Sequence, residues 1–321
     1  MKKILIMGVL TMLVLGAAYY FLFSAPGGAP TPERFVVSLG ENNAQAVRDL
    51  ANQGFIRSSF GFSIALALGG NPPIAPGGYK ISGGMNAFEV ASILKQQPYM
   101  KWVVVPEGLR KEETADLLQK ALGWSDDVKN QFLNAYQSLD GNDYKEGVYF
   151  PDTYLLPVDE TGIQIAQRFI TQFNESFAPY AKEAAAQNIK WTTALKIASI
   201  IQREAGGTSD MALISGIIWN RLQKNMPLDI DATIQYARGD TGEGYWAPLT
   251  VSDLKINSPY NTYLHKGLPP TPIASPGLAA MNAALNPQTT TCLYYLHDAN
   301  HVIHCANTYD EQKLNVEKYL K

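Results

Sequence analysis

The chain has 321 residues, 46% of them hydrophobic and 17% charged, with a net charge of -3. This composition describes folded domains and excludes a largely disordered chain. It also leaves no basic field for gripping a nucleic-acid backbone or an anionic membrane surface.

Lys2 and Lys3 precede an uncharged run from Ile4 to Phe23. As a helix this run is about 30 Å long, enough to cross the hydrocarbon core of a bilayer. The lysine pair is expected to stay cytoplasmic, which puts everything after Ser24 outside. A cleaved signal peptide with a small-residue site at Gly16 and Ala18 is the alternative, but Tyr19 to Phe23 carries the apolar run past a usual signal core. Ser24 to Glu33 reads SAPGGAPTPE, a Pro/Gly linker spanning at most about 35 Å, so the folded body is expected close to the membrane.

A strand, a Gly turn and an amphipathic helix then recur three times. The first copy joins Phe35–Val37 and Gly40 to Ala46, Val47 and Leu50, and the second joins Tyr79–Ile81 and Gly84 to Val90, Ile93 and Leu94. The third runs from Trp102–Val105 and Gly108 to Ala115, Leu117 and Leu118, with Asn42, Asn43 and Asn86 as candidate caps. Such repeats suit either ordinary βα units or a LysM-like glycan-binding module. Farther on, helices are expected over Trp191–Ala205, stopped by Gly206 and Gly207, and over Met211–Lys224 before Pro227. Thr208, Ser209 or Asp210 is the expected cap of the second. Leu228 to Pro276 reads as a long proline-rich loop, the kind that carries function. A strand pair at Leu293–Leu296 and Val302–Ile303 and a final helix close the chain.

Glu204 is the most informative position. On a helical wheel it falls between Ile200 and Ile197, on the same apolar face as Ile201 and Ala194. Lys196 and Arg203 lie together on the opposite flank, so the helix has a solvent face that Glu204 does not use. A carboxyl among isoleucines is pushed toward its neutral form, as a general acid for a glycosidic oxygen requires. A glutamate at a fraying last turn, paired or solvated, is the plainer reading of the same position.

Five stretches decide between them: VPEGLR at Val105–Arg110, EGVYFPDTY at Glu146–Tyr154, IASIIQRE ending at Glu204, NRLQKNMPLDIDAT at Asn220–Thr233, and SPYNTYLHKGLPPTPIASPG at Ser258–Gly277. In that order they resemble the endolytic murein transglycosylase family, often called MltG or YceG-like. The resemblance implies an α+β protein divided into residues 1–23 (cytoplasmic lysines and transmembrane helix), 24–33 (linker), 34–97 (LysM-like subdomain) and 98–321 (catalytic domain). It implies a single-pass protein of the bacterial inner membrane with its body on the periplasmic side. The expected reaction is a lyase-type cut between N-acetylmuramic acid and N-acetylglucosamine within a peptidoglycan strand, leaving 1,6-anhydromuramyl ends and ending strand elongation. Glu204 falls on the acid/base. Asp231, Thr233, Ser258, Tyr260, Asn261 and Tyr263 match motif positions expected around the glycan. Ile230, Ala232 and Gln312 depart from the pattern, which has a small polar residue, proline and histidine there. No cofactor is implied, and the partners are glycan strands, the membrane and peptidoglycan synthases.

Asp229 or Asp231 could instead serve as the second carboxylate of a lysozyme-like hydrolase. A non-catalytic glycan-binding anchor of a wall-synthesis complex is the third reading. Cys292 and Cys305 mirror each other about a turn at Asp298 and Ala299, which would oppose them in a hairpin within disulfide reach. Two reduced cysteines packed in a strand pair is the alternative. A metal site with His297, His301 or His304 would use a spacing that matches no standard zinc pattern, and no metal is expected.

Overall fold

A computed structural model describes residues 2–135, 137–139 and 142–321. In chain order, α1 (Lys2–Phe23) precedes β1 (Glu33–Val37), α2 (Asn43–Asn52), α3 (Ser59–Leu68), β2 (Gly77–Ile81), α4 (Ala87–Leu94) and β3 (Met100–Val104). Then follow α5 (Lys111–Leu122), α6 (Asp126–Asn134), the short strands β4 (Gln137–Leu139) and β5 (Asn142–Tyr144), and β6 (Thr153–Pro157). The rest comprises α7 (Gly162–Ala186), α8 (Trp191–Glu204), α9 (Met211–Gln223), α10 (Asp231–Arg238), α11 (Leu278–Leu285), β7 (Tyr294–His297), β8 (Ile303–Ala306) and α12 (Tyr309–Tyr319). The fold is α+β, as its sequence implies.

Two compact units emerge: Met1–Val103 with Thr153–Glu160, and Val104–Asp152 with Thr161–Lys321. In the first, α1 is long and apolar enough to cross a membrane, by length and composition. The linker that follows is tied down, since Gly27 and Gly28 donate to the Gly83 carbonyl and Arg57 donates to that of Ala25. The sheet order is β1-β2-β3-β6, with β1–β2 and β2–β3 antiparallel, so the strand-turn-helix repeats are not parallel βαβ units. A second helix, α3, also intervenes between β1 and β2. The sheet extends past residue 97, because β3 and the distant β6 join it; a pairing partner so far along the chain leaves no local pattern.

Asn42 caps α2 and Asn86 caps α4, each in a reciprocal capping box, whereas Asn43 bridges Pro72 and Ile74. Phe35, Leu50, Phe62, Tyr79, Ile81 and Leu94 fill this unit's core. Truncating either of these leucines to alanine should cost about 2–5 kcal/mol.

In the second unit α8 is the central support. Ala194, Leu195, Ile197, Ala198, Ile200 and Ile201 are all buried, and α7, α9, α10 and α11 pack around it. The proline-rich segment docks on it through two side chains: Ser199 Oγ accepts from the Ile273 amide and Gln202 Oε1 from that of Gly277. The helix stops at Glu204, one residue before the expected end, because Ala205 already turns extended. Asp210 occupies the cap position of α9 without a side-chain capping bond.

Candidate active site

Glu204 is the last residue of α8, half-buried, and opens onto a cleft of about 330 Å³. Arg221, Leu228, Asp229, Asp231, Tyr263, Tyr294, Tyr295, Tyr309 and Gln312 form the rest of its lining. Three separate elements grip the carboxyl: α8 carries it, β7 supplies the Tyr295 hydroxyl, which donates to Oε2 at 2.6 Å, and the start of α10 presents the Ala232 amide. Burial pushes the Glu204 carboxyl up from its ordinary value, the Tyr295 bond lowers it, and the nearby Asp231 charge raises it again. The Ala232 amide and His297 also lower it. Burial together with the Glu204 charge holds the Tyr295 phenol well above its usual range, so it stays a donor.

Asn220 and Arg221 of the NRLQ motif explain how β7 reaches Glu204. Asn220 Nδ2 donates to the carbonyls of Thr290 and Cys292, and Arg221 Nε to that of Leu293, which fastens the strand to α9. Arg221 Nη1 also donates to the carbonyls of Pro227 and Leu228 and pairs with Asp229 at 2.9 Å. One buried guanidinium thus fixes both the hairpin and the loop leading into α10. Gln312 Nε2 donates to the Tyr295 carbonyl, adding a hold from α12, while its Oε1 is buried without a hydrogen-bond partner.

The residues singled out by motif fall into two groups. Asp231 and Tyr263 line the cleft and meet each other, the Tyr263 hydroxyl donating to Asp231 Oδ1 at 2.8 Å. Thr233 and Asn261 are fully buried and bond inward: Thr233 to the Ile230 carbonyl and Thr262 Oγ1, Asn261 to the carbonyls of Leu254 and Ile256. They shape the loop and do not face the cleft. Ser258 Oγ accepts from the Tyr260 amide, and the Tyr260 hydroxyl meets Thr271 Oγ1 at 2.7 Å while its ring packs on Tyr236. Their local motif spacing could not separate loop-building side chains from cleft-lining ones. Tyr295 carries no signal in the sequence until the hairpin is in place, and Ala232, which stands out there only as a departure from the family's proline, acquires a role only once α10 is in place.

His297 lies on β7 with Tyr295 but pairs with Asp210 at 3.0 Å. Gly206, just after Glu204, is where the chain threads past this pair: an added Cβ would lie 3.1 Å from Asp210 Oδ2 and 3.4 Å from His297 Cδ2. Among the described residues no group of three or more His, Cys, Asp or Glu could hold a metal ion. Cys292 and Cys305 are joined, with Cα atoms 5.9 Å apart. They are not directly opposed as expected: Cys305 stands across from Tyr295, because the turn is centred near Asn300 and the register shifts with it. Cys292 reaches it from the approach to β7.

The other family motifs meet elsewhere in this unit. Gly108 donates to the Ser275 carbonyl and Ser275 to that of Leu109, stitching VPEGLR to ASPG. Glu146 of EGVYFP is buried, accepts from the Lys111 and Gly147 amides and meets the Tyr236 hydroxyl at 3.2 Å. Its carboxyl is pushed up to about 8, mainly by burial and next by the Glu112 charge.

Comparison with known proteins places the chain in a family. The sequence model of the YceG-like family matches residues 35–318. An endolytic murein transglycosylase of Bacillus subtilis is 36% identical over 176 residues, 54% of this chain and 48% of that protein. One of Streptococcus pneumoniae serotype 2 is 24% identical over 314 residues, covering 88% of this chain and 57% of the relative. The chain thus spans about half the length of these curated relatives. A crystal structure of a yceG-like protein from Listeria monocytogenes superposes with a TM-score of 0.60 at 25% identity, covering 89% of this chain and 99% of that one. With the family pattern running through both compact units, the chain belongs to the YceG-like family.

Proposed function

We propose that this chain is an endolytic peptidoglycan lytic transglycosylase in which Glu204 is the single acid/base. The observation that carries the reading is the setting of Glu204: a carboxyl raised by burial, held by a phenol and a backbone amide, at the edge of a tyrosine-lined cleft. The family membership and the names of the relatives support it.

As the neutral acid, Glu204 protonates the oxygen leaving the muramic C1. As the resulting carboxylate it takes the proton from the C6 hydroxyl, which closes on C1 and leaves the 1,6-anhydro end without water. The Tyr295 donor stabilises the carboxylate between the two transfers. Tyr263, Tyr294 and Tyr309 offer flat faces with polar tips, a surface that suits sugar rings. Asp229 is engaged by Arg221 and Asp231 by Tyr263, which favours a structural role for both. The proximity of Asp231 to Glu204 is the one feature favouring a two-carboxylate hydrolase. The helix α1 holds the body at the outer face of the membrane, where it would cut nascent strands and end their elongation. The strand-helix-helix-strand order of residues 33–81 supports a LysM-like glycan-binding role for the first unit.

The test is product chemistry. Purified strands treated with the protein should yield 1,6-anhydromuramic ends by mass spectrometry. Glu204→Gln should fold, still bind glycan, and lose roughly 10²- to 10⁴-fold in turnover. Reducing ends would overturn the lyase mechanism, and a folded Glu204→Gln protein with normal turnover would overturn the role of the residue.

A further inference from the structure

The junction between α1 and the first unit shows more than a tether. Gly61 on α3 packs so closely on the end of α1 that an added Cβ would lie 2.0 Å from the Leu22 carbonyl oxygen. Phe88, at the start of α4, stacks on Phe23 with ring centroids 5.1 Å apart. Arg57, just before α3, sits over the Tyr20 ring at 4.7 Å and donates to the Ala25 carbonyl. The folded unit therefore grips the last turn of α1 directly, with no free linker between them.

This grip fixes where neighbouring side chains lie. The uncharged run of α1 extends to Phe23, and about 30 Å of helix fills the hydrocarbon core, so its last turn sits at the headgroup boundary. Phe60 adjoins Gly61 and is 68% exposed, on a helix, SFGFSIALAL, that contains no charged residue. A phenylalanine left bare at this level, beside an arginine and a tyrosine, has the composition of an interfacial anchor: the ring meets acyl chains while the cation meets phosphate.

We propose that the first unit is seated on the bilayer it is anchored in, with Phe60 entering the lipid boundary and Arg57 at the level of the lipid phosphates. The proposal rests on the reading of α1 as a membrane span. Seating of this kind orients the unit relative to the membrane surface, which a flexible tether would leave free.

The test places a benzophenone amino acid singly at Phe60, Phe21 or Leu39 of the full chain, reconstituted in phosphatidylethanolamine–phosphatidylglycerol vesicles. Phe21 reports the span. Leu39 is 52% exposed and follows the Val37↔Gly77 end of β1, opposite the end where the linker meets Gly83, so it reports solvent. After irradiation, mass spectrometry should find lipid adducts at positions 21 and 60 in comparable yield and none at 39. Lipid adducts at 21 but not at 60 would overturn the seating while leaving the span intact. Absence at both would overturn the span and the seating together. Cross-linking of position 60 to a second copy of the chain would show a protein interface and overturn the lipid assignment, as would equal lipid labelling at 39. Circular dichroism matching that of the unsubstituted protein shows that each variant is folded.

Discussion

Replacing Tyr295 with phenylalanine removes one hydroxyl and keeps the ring, so it isolates the 2.6 Å bond to Glu204 Oε2. That bond is the largest of the influences lowering the Glu204 carboxyl, against burial and the Asp231 charge, which raise it. Tyr295→Phe should therefore raise the Glu204 pKa further. In the proposed mechanism Glu204 must be protonated to act as the acid, so the falling limb of the kcat/KM profile on the alkaline side reports it and should move up. A hydrogen bond to a charged group contributes about 1.5–3 kcal/mol, which corresponds to a displacement of that limb by about one to two pH units. On the plateau the weaker acid should slow cleavage by roughly three- to tenfold, with glycan affinity little changed. Release of anhydro-ended fragments from purified strands, measured between pH 4 and 9, gives both numbers. An alkaline limb that stays in place, or moves down, would refute the claim that Tyr295 stabilises the Glu204 carboxylate.

Four further predictions concern the fold, the hairpin and the expected orientation. Glu146, at about 8 when folded, holds a proton that the unfolded chain releases above about pH 4.5, so its contribution to stability declines as pH rises from about 4.5 to 8. Glu146→Gln can keep the Lys111 and Gly147 bonds and cannot ionise. Urea unfolding across pH 5 to 8 should show a flatter decline than the unsubstituted protein, and an identical slope would count against the raised carboxyl. Arg221→Ala orphans the carbonyls of Leu293, Pro227 and Leu228, and should lower unfolding free energy by at least about 2 kcal/mol and weaken turnover by loosening Tyr295. An unchanged denaturation midpoint would show that the hairpin is fastened by other contacts. Thiol labelling of unfolded, unreduced protein from the envelope should find neither Cys292 nor Cys305 free; two labelled thiols would refute their pairing. Protease added to spheroplasts should digest the body, and its survival beside a digested outside marker would reverse the orientation.

What could be read from sequence was whatever repeats at the period of a single element. The apolar run of α1, the caps Asn42 and Asn86 and the inward face of α8 all follow from residues within one or two turns of each other. Pairing across the chain left no such trace. The first sheet recruits β6 from far beyond β3, across two helices and a second strand pair, so the sheet's membership left no trace in the sequence. The short helix α10 lacks a capping side chain and hides among prolines, which is why its amide was invisible as a partner of Glu204.

The same division runs through the cleft itself. The helical period places Glu204 on the wrong face of its helix, and the motifs that follow it are what single it out as the proposed acid. Its strength is set by groups far along the chain, at Ala232 and Tyr295, whose arrival depends on the turn centred near Asn300 and on Arg221 gripping two segments at once. Gln312 shows how a position acquires meaning only through this network. Its amide nitrogen holds the Tyr295 backbone while its oxygen stays unpaired beside the cleft, so the residue bears on the acid through the strand that carries the phenol. Exchanging Gln312 for histidine would change that hold. Its effect should therefore surface as a shifted pH profile, the same readout that tests Tyr295, well before any loss of glycan binding.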